Sequence, residues 1–273
     1  MALVLFLLLM LPLTIVKLPS VGQMILGSVW VGLALAERGM DVVLVARSME
    51  KLEALAVELA RKYSIRADAI SIDLSDPSGA DRLFHETEAR GIHVTMLINN
   101  AGFATYGPFE TLDPVRERAQ IMVNVCALTG LARLYLPGLL KNPGSAMVNV
   151  ASTAAFQPLP YMAVYGATKA FVLSFSEALW AQLQGTNVSV LALCPGPVKT
   201  GFAEIVGAAE AVVGKQDSPE FVVHKALRAL ENGNSFIIPR LSQYLLSFLS
   251  RLLPRHMVAS ISGRVLRPRT VTT

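Results

Sequence analysis

Tyr165 and Lys169 stand four residues apart in a segment, 162–184, whose pattern predicts a helix, so the phenol and the ammonium share one face, a turn apart. A free phenol ionises near pH ~10 and is a poor base at neutral pH. A neighbouring ammonium favours the phenolate and makes the pair a proton exchanger for an alcohol or a carbonyl oxygen. Ser152, thirteen residues before Tyr165, follows an apolar run at 146–150 and could hydrogen-bond the same oxygen. Such a pair also arises by chance in ordinary helices. Its meaning depends on what else the fold brings to the same place.

Short apolar runs at 41–46, 67–72, 94–98, 146–150, 188–193 and 235–238 read as buried strands. Between them lie helical patterns: one after Ser48, which could cap it, then 77–90, 114–140, 162–184 and 218–231. With a first strand ahead of residue 39, this alternation predicts an α/β fold: a three-layer, doubly wound parallel sheet of about seven strands. Ligands of such sheets bind beyond the carboxyl ends of the strands. Those ends carry Arg47 and Ser48, Asp73 and Leu74, the run from Asn99 through Asn100 and Ala101 to Gly102, Ser152, and Pro195 with Gly196.

These motifs, with Tyr165 and Lys169, stand in the order and spacing of the short-chain dehydrogenase/reductase family, which the chain resembles from about Gly39 to Thr200. The resemblance implies a Rossmann-type domain carrying out hydride transfer to or from a nicotinamide. It casts Tyr165 as acid/base, Lys169 as the residue that lowers its pKa and holds the ribose, and Ser152 as the group orienting substrate. Asn124 is similar to the asparagine that positions a relay water. Asn99, Ala101 and Gly102 resemble the loop beside the adenosine half, and Asp73 and Leu74 resemble adenine contacts. Pro195 and Gly196 belong to the same cofactor-binding pattern, and Thr200 resembles the residue that binds the nicotinamide amide. Where an acidic residue would bind the ribose hydroxyls of NAD(H), this chain has Arg47 beside Ser48. A guanidinium suits a 2′-phosphate, so NADP(H) is the expected cofactor.

One element of the family pattern departs. A glycine-rich turn that opens the first helix and takes the pyrophosphate is expected near 21–28. Gly22 falls where its first glycine belongs, but Gly27 is out of register and Met24, Ile25 and Leu26 are bulky. Three readings stay open: a remodelled but working turn, a non-catalytic membrane-tethered scaffold with impaired cofactor binding, or a shifted reading frame over the first ~30 residues.

With 53% hydrophobic and 16% charged residues, the chain is greasier than an ordinary soluble domain, where charges reach roughly 25%. Its net charge of +4 is scattered, so nucleic acid is not expected as a partner. Cys126 and Cys194 cannot form a disulfide framework, and the four histidines lack metal-ligand spacing, so no metal is expected. Residues 1–20 read as an apolar segment, either a membrane anchor or partly a buried first strand; 21–240 as the NADP-binding catalytic domain; and 241–273 as an apolar and basic extension. The expected location is a membrane, with the catalytic domain in the cytoplasm, or simply the cytoplasm. The extension, with leucines and aromatics at helical spacing among arginines, could lie on a membrane, cover a substrate pocket or meet a second copy. The segment 201–216 is rich in Ala, Gly and Val, which suits a hydrophobic ketone or alcohol.

Overall fold

The computed structural model describes residues 3–7, 28–199, 202, 206, 208 and 211–268. Seven parallel strands form one sheet in the order β3-β2-β1-β4-β5-β6-β7: β1 Leu3–Leu7, β2 Asp41–Ala46, β3 Ala67–Ser71, β4 Val94–Asn99, β5 Ser145–Val150, β6 Val188–Leu193 and β7 Phe236–Ile237. The doubly wound expectation holds. The chain winds outward from β1 in one direction to β3 and then in the other to β7, placing the switch point between β1 and β4. Leu3–Leu7, five residues of the apolar leading segment, are thus the central strand, in register with Asp41–Val45 on one side and with β4 on the other. For these five residues the strand alternative is the one seen.

Helices α1 (Ser28–Ala36), α2 (Met49–Tyr63) and α7 (Pro219–Glu231) cover one face of the sheet; α3 (Gly79–Ala89), α5 (Leu128–Lys141) and α6 (Ala163–Gln182) cover the other. Strand β2 shows why its run is apolar throughout: Val42 and Leu44 pack towards α1 and α2, while Val43 and Val45 pack towards α3 and α5. The stretch Pro114–Lys141 is long and apolar enough by composition to cross a bilayer, but Leu128, Leu131, Tyr135 and Leu139 bury against the sheet and account for it as a core helix.

Helix starts follow local chemistry. Asp113 accepts from the Val115 amide at 2.9 Å with Pro114 at the first position of α4 (Pro114–Ile121), and Ser218 accepts from the Phe221 amide before α7. Ser48 occupies the N-cap of α2 in an extended conformation, but its hydroxyl makes no capping bond, contrary to expectation. The single helix expected over 114–140 is interrupted: α4 and α5 are joined by a π-helical turn, Met122–Ala127. The stretch after residue 240 forms two helices, α8 (Leu241–Leu249) and α9 (Arg255–Val265), broken at Pro254, whose ring cannot continue a helix.

Candidate active site

At the carboxyl edge of β5, Val150 presents its carbonyl to Lys169 on α6. The Lys169 ammonium donates to that oxygen at 2.7 Å and lies 5.9 Å from the centroid of the Tyr165 ring. Lys169 is 5% exposed, and burial depresses its pKa to about 8. Burial pushes Tyr165 up to about 12, opposed by a hydrogen bond with Ser152. Burial dominates at both groups and moves the two pKa values apart, Lys169 below and Tyr165 above, so the phenol stays protonated at neutral pH instead of being drawn down by the ammonium as the spacing had suggested. The Phe202 ring stands 5.7 Å from that of Tyr165.

Ser152 follows β5 and caps the short 3-10 turn Thr153–Phe156, accepting from the Ala154 amide at 3.1 Å. Its hydroxyl donates to the Pro195 carbonyl at 3.4 Å, and Pro195 also accepts from the Thr153 amide at 2.9 Å, so the ends of β5 and β6 are tied together.

Asn124 lies fully buried within the π turn. Its carboxamide donates to the Phe103 carbonyl at 3.1 Å and the Thr168 hydroxyl at 3.0 Å, and accepts from the Phe103 amide at 3.1 Å. Thr168 in turn donates to the Tyr165 carbonyl. The loop after β4 is therefore clamped to the helix that carries the Tyr165–Lys169 pair. Gly102 explains why that loop needs a glycine: a methyl there would stand 3.0 Å from Asn124 Oδ1 and 3.3 Å from Lys169 Nζ.

The remaining expected residues divide. Asn99 reaches the sheet edge but is buried, donating to Asn149, which donates to Ser176 on α6; this ladder anchors β4 to β5. Ala101 packs partly against the core, and Leu74 lies inside it. Asp73 accepts from the Ser75 amide and hydroxyl, as a turn cap does, and its other oxygen lies 4.0 Å from the exposed Arg47 guanidinium. Ser48 stands beside Arg47 at the start of α2. Gly196 is covered by Gln243 of α8, which fills the space a Cβ would need. Gly22, Gly27 and Thr200 lie outside the described residues.

Sequence reasoning missed Thr168, Asn149 and Ser176, which carry no motif of their own, and the cluster of Thr105, Glu117 and Gln120 buried beneath the loop. It also missed the π turn. A buried polar residue in an apolar helix was its only trace, in Asn124.

Two hydroxyls and an ammonium thus converge above the ends of β4 and β5, beside a loop without a side chain at Gly102. This donor set suits a carbonyl or alcohol oxygen together with the vicinal hydroxyls of a ribose. A family model described as short chain dehydrogenase matches residues 30–211. Very-long-chain 3-oxoacyl-CoA reductase of Bos taurus is 30% identical over 200 residues, covering 72% of this chain but 62% of the relative, so the chain spans less than two thirds of that protein's length. A short-chain dehydrogenase from Sphingobium yanoikuyae in complex with NADPH superposes with a TM-score of 0.77 at 26% identity, over 100% of this chain and 98% of the other. A short chain dehydrogenase/reductase from Burkholderia phymatum in complex with NAD gives 0.73 at 23% identity, over 83% and 89%.

Proposed function

The chain belongs to the short-chain dehydrogenase family, and from that premise we propose that it is an NADP(H)-dependent oxidoreductase acting on a carbonyl or alcohol of a hydrophobic substrate. The observation that carries this reading is the clamp of Asn124 between the Gly102–Phe103 loop and the helix bearing Tyr165 and Lys169. It sets the groups that need a fixed geometry around one small space.

The bound dinucleotide would supply or accept the hydride. Arg47, exposed beyond β2, would meet its 2′-phosphate, and Lys169 the ribose hydroxyls. In reduction, the neutral Tyr165 phenol donates its proton to the carbonyl oxygen while Ser152 hydrogen-bonds that oxygen; in oxidation the same proton returns. Both N–H groups of the Asn124 carboxamide are engaged in positioning, and its oxygen accepts from Phe103. A water relay to Lys169 would therefore not run through that carboxamide's N–H groups, both of which are already donated. The relative's name puts long acyl thioesters among the first substrates to try.

The test is fluorescence titration of the full chain with NADPH and NADH, followed by a panel of 3-oxoacyl thioesters and bulky ketones. Saturable binding that favours NADPH, with turnover on at least one apolar carbonyl, is the expected result. Tyr165→Phe should lower turnover by about 10²–10⁴-fold and leave NADPH affinity nearly unchanged. Absence of dinucleotide binding by folded protein, or full activity in Tyr165→Phe, overturns the reading.

A further inference from the structure

Helices α8 and α9 leave most of their large apolar side chains on the outside, and α8 is amphipathic in the wrong sense for a water-facing surface. The side of α8 turned to the protein is polar: Gln243 rests on Gly196, Ser247 is buried, and Ser250, just beyond the helix, donates to the Phe156 carbonyl. On α9 the inner side carries Val258, Ser262 and Gly263, the last against Pro160, with Leu266 buried just after it and its carbonyl accepting from Tyr106. Large apolar side chains point outward, among them Leu245, Leu246, Leu249, Leu252, Ile261 and Val265, with Leu252 67% exposed. Eleven of the twenty large apolar side chains exposed among the described residues fall within 241–265. A surface helix normally buries its apolar stripe, and an exposed patch of this density marks a contact with an apolar phase or partner.

Charge selects the occupant. From 241 to 268 the sequence has Arg251, Arg255, Arg264 and Arg267 and no aspartate or glutamate; Arg240, just before, is held by buried Asp217. A two-fold contact with a second copy would bring these arginines against their own counterparts. A bilayer containing anionic phospholipid offers phosphates to the arginines and hydrocarbon to the leucines. We propose that the α8–α9 face docks on such a bilayer, lying in its interface. Because Gln243 covers Gly196, docking sets the rim of the site against the lipid; supply of substrate from the bilayer rests on the oxidoreductase reading, whereas docking does not.

The experiment is co-sedimentation of the full chain with vesicles of phosphatidylcholine, alone or mixed with phosphatidylglycerol. Strong binding to the anionic vesicles and weak binding to the neutral ones is expected. Arg255→Gln with Arg264→Gln should lower anionic binding by about tenfold or more. Leu245→Gln with Leu249→Gln and Leu252→Gln should lower binding to both, with circular dichroism, thermal midpoint and NADPH affinity unchanged. No binding to either vesicle by folded wild type overturns the proposal. So does a stable dimer by light scattering that the leucine variant splits while vesicle binding is absent. Vesicle binding without NADPH binding would sink the catalytic reading and leave docking standing.

Discussion

At Lys169, burial takes a charged side chain out of water and depresses its pKa to about 8 from a usual 10.5. Its folded pKa is the lower one, so between about pH 8 and 10.5 the unfolded chain holds more protons, and this group's contribution to stability rises with pH in that window. Replacing the ammonium by an uncharged chain of similar length relieves the penalty. Lys169→Met should therefore be more stable than the wild type near pH 7, by about 2 kcal/mol after the lost bond to Val150 is allowed for. That advantage should shrink as pH rises past 8, while turnover is abolished at every pH. Thermal unfolding of both proteins from pH 7 to 10 checks this; a variant less stable at pH 7 contradicts it. At Arg47, charge reversal tests the cofactor. Arg47→Asp should weaken NADPH at least tenfold and affect NADH far less, measured as the ratio of the two dissociation constants.

Among the elements, the π turn and the loop after β4 decide whether the chemistry is assembled. Gly102→Ala forces a methyl against Asn124 and Lys169, both buried and both hydrogen-bonded. The loop or the ammonium must move, and turnover should fall by about 10²-fold, as displacement of a positioned group does, with the thermal midpoint little changed; steady-state kinetics beside calorimetry separate the two. The motifs brought Tyr165, Lys169, Ser152 and Gly102 to one place on the sequence reading, and folding does place them side by side, because a helical four-residue spacing and the strand ends fix where those residues must lie. The clamp itself was not readable. Thr168, Asn149 and Ser176 are ordinary helix and strand residues until folding puts them opposite Asn124 and Asn99. The π turn was hidden for a related reason: one additional residue in a helical turn leaves no mark in an apolar pattern. Leu74 shows the opposite limit, since a leucine at a strand end reads equally well as a ligand contact or as core, and it lies in the core.

For the whole molecule, the order of the sheet matters most. Strand β1 pairs on both sides, Leu5 standing opposite Val43 and Leu97. A proline there removes a ladder hydrogen bond from the middle of the sheet. Leu5→Pro should cost several kcal/mol against a net stability of about 5–15 kcal/mol, seen as loss of the cooperative thermal transition. A segment acting only as a membrane tether would tolerate the change without loss of the domain's transition. The sequence announced seven strands by alternation but left the first ambiguous, because a continuous apolar run suits a buried central strand and a lipid-facing helix equally well.

The place of β1 also bears on how the protein is made. Its residues leave the ribosome well before those of the neighbour on its second side, β4, which ends only at Asn99. At usual elongation rates the intervening ninety or so residues take about 5–20 s to appear. For that interval a newborn apolar strand has one open hydrogen-bonding edge. Cells short of holdase chaperones should therefore lose this protein to aggregates during synthesis rather than after it.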